Sequence, residues 1–216
     1  SPETLTIPTA GVLNPQEGTV ECRVYINDAS RYQNRYSTIF MADAGGGGKG
    51  IWLGHRNNAP YWKYQIADGV RPTEIIQIPD ADVPNGWHHF AITWNSEKAK
   101  LFIDGELKGT MTTPPLPSAI QRIDVGHWGT GNQFNSLIDD LRISNIARSD
   151  EEIAAAYASG KSLPFDPSAT YKLAFDGNLD LQQRQVPWVP LGTFWSLDWD
   201  SPDDSLEATV TARDRM

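Results

Sequence analysis

The sequence predicts an all-β, antiparallel protein, a sandwich or a barrel, and three observations carry that prediction. Gly and Pro divide the 216 residues into short apolar stretches at fairly regular spacing. In the clearest stretch, GWHHFAITW, the side chains alternate, His88, Phe90, Ile92 and Trp94 against Trp87, His89, Ala91 and Thr93. Both sets are largely apolar or aromatic, the pattern of a strand covered on both faces in the middle of a sheet. Asp104-Gly105 then supplies the dipeptide that accepts the positive φ angles of a two-residue hairpin.

Strands are expected in order at 5–7, 19–26, 37–42, 50–55, 61–67, 74–78, 87–94, 100–103, 106–110, 122–126 and 136–144, with no internal repeat. The stretch at 19–26 holds the single cysteine, Cys22, in strand-like sequence, where a buried thiol is expected and a disulfide framework is excluded. In YWKYQIA, Trp62, Tyr64 and Ile66 share one face, the expected core face, and Tyr61, Lys63 and Gln65 the other. Trp52 is expected to pack inward. Asn95 to Lys98 make the turn between the strand of GWHHFAITW and the next, in which Leu101 and Ile103 oppose Lys100, Phe102 and Asp104.

One helix follows the strands. Ser149 can cap it and Glu152, three residues on, can close a capping box, with Ile153, Ala156 and Tyr157 on one face and Gly160 as the stop. Pro164 and Pro167 mark an extended linker, and TYKLAFDGNLD offers another strand. Beyond residue 180 the chain turns polar and proline-punctuated before the aromatic FWSLDW. The expected organisation is therefore a domain over 1–180 and an extended arm, or the start of a following domain, over 181–216. Ser1 and the strand-like end suggest a piece of a longer protein, and Trp188, Trp195 and Trp199 of the arm need burial against the sandwich, a partner chain or a further domain.

Composition narrows function. A net charge of −9 without a lysine or arginine cluster argues against nucleic acid, and no apolar run reaches the ~18–20 residues of a membrane span. No Glu-x-Asp-x-Glu strand, which would project a nucleophile and an acid/base onto one face, is present. Nor is a Gly-x-Ser-x-Gly elbow or a convincing Cys/His pair, so no catalytic residue is assigned. The glycine run at 45–48 lacks the Gly-Lys-Ser/Thr and helix of a phosphate loop. Adjacent His88 and His89 point to opposite faces, and His55 and His127 are isolated, which argues against zinc.

The candidate ligand residues lie in loops. Trp128 precedes Gly129-Thr130-Gly131-Asn132-Gln133; if that loop meets the glycine run on one rim, Trp128 can stack on a sugar ring while Asn132 and Gln133 bond its hydroxyls. The bland alternative has Trp128 covering the sandwich edge. Asp176, Asn178, Asp139 and Asp140 offer oxygen ligands that suit Ca²⁺, against the reading that they are turn and surface residues.

The segments GTVECRVYI, GWHHFAITW with KLFIDGELKGT, IDVGHW, and SLIDDLRISNIARSDEEIAAAY, in that order, resemble the laminin G-like, concanavalin A-like jelly rolls of bacterial and phage proteins, over about 5–160. That resemblance implies a two-sheet antiparallel jelly-roll sandwich with a short C-terminal helix, ligands met on a concave face or on rim loops, and often a structural calcium. TYKLAFDGNLD and FWSLDW with ATVTARDRM are similar to segments of phage or prophage tail minor structural proteins. The implied function is a non-catalytic carbohydrate-recognition or adhesion module of a tail, on the virion or extracellular, meeting cell-wall carbohydrate and other tail subunits. The alternatives are a structural spacer of the tail and a cryptic glycosidase. In such modules a strand like LAFDGN commonly opens the domain, so its place after the helix suggests a permuted arrangement or a next module.

Overall fold

A computed structural model describes residues 5–32, 36–46, 49–57, 60–69, 74–112, 116–129, 132–160, 166–173, 195–200 and 209–213. In chain order the elements are β1 (Leu5–Ile7), β2 (Gly18–Ile26), α1 (Asp28–Tyr32), β3 (Tyr36–Asp43), β4 (Gly50–Arg56), β5 (Tyr61–Ala67), β6 (Glu74–Pro79), a 3₁₀ turn (Asp80–Asp82), β7 (Gly86–Trp94), β8 (Lys98–Ile103), β9 (Glu106–Thr112), β10 (Arg122–Val125), β11 (Ile138–Ser144), α2 (Asp150–Ala158), β12 (Ala169–Leu173), β13 (Trp195–Asp200) and β14 (Thr209–Arg213). They build two six-stranded antiparallel sheets. Sheet A runs β1-β10-β3-β4-β5-β6 and sheet B runs β12-β11-β2-β7-β8-β9. The chain divides into two compact units, Ser1–Gln182 and Gln183–Met216; in the second, β13 and β14 form an antiparallel pair.

The sandwich follows from alternation. Val20, Cys22, Val24 and Ile26 of β2, with Phe90, Ile92 and Trp94 of β7, meet Ile51 and Leu53 of β4 and Trp62, Tyr64 and Ile66 of β5 in one core. β7 lies between β2 and β8, as its two covered faces require. The Tyr64 hydroxyl donates to the Thr93 carbonyl at 3.2 Å, so a buried phenol is satisfied across the two sheets. Cys22 is fully buried, which pushes its thiol up to about 12.

Local signals hold too. Asp104 (φ 54°) and Gly105 (φ 75°) form the tight hairpin between β8 and β9. The Asn95 side-chain oxygen accepts from the Glu97 and Lys98 amides, closing the turn before β8. Ser149 and Glu152 make the expected capping box on α2, and Gly160 (φ 60°) follows its end. The five-residue α1 has no counterpart in the sequence reading, because a single turn shows no period. β12 pairs with β11 and so closes sheet B at its edge.

The outer faces differ. That of sheet B is covered in its middle by α2, where Ile153 packs on Ala91 and Phe102 and Tyr157 stacks on His89 at 6.2 Å. A buried charge network lies beside it: Arg142 Nε donates to Glu21 Oε2 at 3.0 Å, and Arg148 donates to Asp166 Oδ2 at 2.5 Å and to Ser168 Oγ at 2.9 Å. Burial alone would raise both carboxyls. His89, 3.6 Å away, and the charge of Arg142 keep Glu21 below its ordinary value, and hydrogen bonds from Ser168 and Arg148 bring Asp166 to about 2. A network so paired tolerates burial, whereas removing one partner costs about 3–5 kcal/mol.

Candidate functional site

The outer face of sheet A carries aromatics and cations. Along β4 the core takes Ile51 and Leu53, so Trp52, Gly54 and Arg56 point out; along β5 it takes Trp62, Tyr64 and Ile66, so Tyr61, Lys63 and Gln65 point out. A bulge in β3 between Thr38 and Phe40 puts both Ile39 and Phe40 in the core, leaving Tyr36 and Thr38 on the outer side. The register then sets Tyr36 beside Arg56, Thr38 beside Gly54, Gly54 beside Lys63, and Arg56 beside Tyr61.

These residues form a contiguous cluster. Trp52 Nε1 donates to Thr38 Oγ1 at 3.1 Å. Tyr36 meets the Trp52 ring edge-on at 5.9 Å and the Trp128 ring at 6.2 Å. The Arg56 guanidinium lies over Tyr36 at 5.9 Å and donates to the Tyr61 hydroxyl at 3.4 Å. The Lys63 ammonium lies over the Trp52 ring at 5.7 Å. Glycine is required at position 54, where a Cβ would come within 2.8 Å of the Trp52 indole and 2.3 Å of the Ser37 carbonyl. Trp52 is 5 % exposed yet outside the core, so the expectation that it packs inward is corrected: it is buried under Tyr36 and Lys63 on the outer side.

Of the loop trio, Trp128 joins this cluster through Tyr36 and is half-buried. Asn132 donates its amide to the Trp128 carbonyl at 3.0 Å and so shapes the loop. Gln133 bridges in parallel to Thr38, bringing the loop back onto β3. Of the glycine run, the described Gly45 and Gly46 lie away from Trp128. Gly45 and Gly46 donate to Asp43 Oδ1 at the far end of β3 from Tyr36, about 23 Å away at some 3.3 Å per residue. Trp128 joins a sheet face, and Gly47, Gly48, Thr130 and Gly131 lie outside the described residues.

Of the expected calcium ligands, Asp139 and Asp140 are among the described residues. Asp140, left-handed at φ 50° beside a bulge, is buried and paired with Arg23 at 3.4 Å, a cation where a calcium ligand needs none. Asp139 accepts from the Asp140 amide at 2.7 Å. Asp176 and Asn178 lie outside the described residues. Among the described residues no three His, Cys, Asp or Glu side chains gather at a metal-binding spacing.

A second exposed aromatic group was not foreseen. Trp87 is 52 % exposed and meets Tyr25 edge-on at 5.6 Å, with Leu137 exposed nearby, its carbonyl accepting from the Tyr25 amide. The alternation made Trp87 scaffold together with His89, Phe90 and Trp94. Those three are buried, but Trp87 lies near the start of the strand and is exposed.

Residues 3–154 match the family model described as the concanavalin A-like lectin/glucanases superfamily. Similar solved structures include the binding domain of botulinum neurotoxin serotype D (20% identity, TM-score 0.55, covering 72% of this chain and 40% of that one). The receptor binding domain of botulinum neurotoxin D is similar at 23% identity and TM-score 0.54, over 67% and 37%. The binding domain of botulinum neurotoxin DC, solved in complex with rat synaptotagmin II, is similar at 16% identity and TM-score 0.52, over 68% and 37%. The chain thus matches about two fifths of those structures' length, a likeness of fold. No curated protein sequence matches it. The match over most of the chain, with the two-sheet sandwich it describes, places this protein in the concanavalin A-like lectin/glucanases superfamily.

Proposed function

We propose that this chain is a carbohydrate- or receptor-binding module, without catalysis, whose ligand lies on the outer face of sheet A. The observation that carries this is the half-buried pair Trp128 and Tyr36, ring against ring, seated on the buried Trp52 and bordered by Arg56 and Lys63. Aromatic rings stack on the apolar faces of sugars while flanking cations and amides select their substituents. The face presents cations where a retaining glycosidase needs two carboxylates about 5 Å apart. Similarity to receptor-binding domains is in keeping with recognition of a surface partner.

The finer reading is adhesion to cell-wall carbohydrate by a phage or prophage tail protein, on the virion or extracellular, and it rests on the sequence resemblance. Calcium in that role would draw on Asp176 and Asn178. A glycan array and a whole-cell pull-down, each with Ca²⁺ and with chelator, test the reading. Specific retention is expected, and Trp128→Ala should weaken it at least about tenfold while the melting temperature stays close to wild type. Blank arrays and no retention under both conditions would sink the proposal. The assembly reading, in which the chain contacts other tail subunits, is favoured by a different observation, the exposed Tyr25, Trp87 and Leu137 on sheet B.

A further inference from the structure

Lys63 is only 8 % exposed, and its burial is of an unusual kind. Two other buried cations have anions, Arg142 on Glu21 and Arg148 on Asp166 and Glu21, and a third, Arg31, is satisfied by hydrogen bonds to Asn85 Oδ1 and the Val83 carbonyl. Among the described residues no carboxylate lies within ion-pair distance of Lys63. Its recorded partner is the Trp52 ring, which can accept along one direction from a group with three N–H donors. Its cross-strand neighbours are Gly54 and Gln77, neither of which carries charge. The nearest charge acting on it is another cation, Arg56; burial first, and then Arg56, draw the lysine below its ordinary value.

A largely buried lysine beside a second cation is costly, and the cost falls when an anion joins the lysine. This chain has 27 acidic residues against 18 basic ones, yet places none of the described acids against Lys63. The position sits at one end of the Trp128–Tyr36–Trp52 run, so an anionic group there would belong to a molecule whose body lies along the aromatics.

We propose that Lys63, with Arg56, is the anion-recognising end of the outer-face site, and that the ligand is an acidic oligosaccharide carrying a carboxylate or a phosphate. This rests on the binding reading above and narrows it. A guanidinium takes two oxygens of such a group in one plane, and an ammonium takes one more as a point charge. The chain's overall negative field opposes approach, so recognition depends on this short-range pair.

The test is an array holding neutral, uronate-bearing and phosphate-bearing glycans, probed with the wild-type chain, Lys63→Met and Lys63→Arg. Lys63→Met keeps the aliphatic stem over Trp52 and removes the charge; Lys63→Arg keeps the charge. Melting curves of both variants confirm that they fold. Acidic glycans are expected to dominate the bound set, to lose at least about tenfold with Lys63→Met, to lose less with Lys63→Arg, and to weaken with added salt. The uronate and phosphate arms decide which anion is read. A second readout is the titration of Lys63 Nζ by NMR, whose pKa should rise when the bound acidic glycan is added. Binding confined to neutral glycans, or acidic binding unchanged in Lys63→Met, would overturn the inference and leave the binding module standing. An array that stays blank for every glycan would overturn the inference, and only with no whole-cell retention as well would it remove the binding module.

Discussion

His88 shows how much one side chain's partners determine. Its Nδ1 faces Asp104 Oδ2 at 2.7 Å and its Nε2 faces the Pro84 carbonyl at 2.8 Å, and both partners accept, so the ring donates twice and is held as imidazolium. The Asp104 bond, chiefly, and the Pro84 bond raise its pKa against the opposing effects of burial and Arg31. A raised folded-state value means its stabilisation is fully present below the unfolded pKa of about 6.5 and is lost as pH climbs through the folded value. His55 acts in the opposite sense, because burial lowers it despite Asp80, so the comparison must isolate His88. The gap in melting temperature between wild type and His88→Gln is expected to be widest below about pH 6.5 and to close as pH rises; a gap that does not change with pH would refute the imidazolium assignment. The sequence showed that His88 and His89 point to opposite faces. It could not show their partners, since Asp104 and Glu21 are brought to them by strand pairing.

At the scale of elements, the strands were legible because alternation and Gly/Pro punctuation are local. Which face of a strand is outward was legible only where one face is polar. In β5 the lysine and glutamine mark it; in β4 both faces read as apolar, and Trp52 was assigned to the wrong one. The bulge in β3 shifts the alternation by a residue, and nothing in YSTIFMAD announces it. Gly54 joins element to site. Gly54→Ala would force the Ser37 carbonyl in the neighbouring strand and the Trp52 indole to give way together. A loss of about 1–3 kcal/mol in chemical denaturation is expected, with weaker ligand retention by the surviving folded fraction. Full stability and full binding would show that the indole has another seat.

For the whole molecule, sheet order was beyond residue-by-residue reading. β2 pairs with β7 and β11, and β10 joins β1 to β3, through contacts far apart in sequence; the family resemblance implied two packed sheets but no strand order. Removing residues 183–216 tests the division into two units. The shortened chain is expected to keep the melting midpoint and ligand retention of the full one and, if the arm's tryptophans drive assembly, to lose self-association in light scattering; a shortened chain that fails to fold would show that the units depend on each other. The two sheets also differ in cover, since α2 and a buried charge network lie on the outer face of sheet B, while the outer face of sheet A carries the aromatic cluster. Along β4 and β5 the positions that hold the sandwich together interleave one by one with those that face outward. A lineage carrying this architecture can therefore rewrite the outward letters of two short strands, Gly54 excepted, and change what that face presents, while the letters between them go on encoding the same fold.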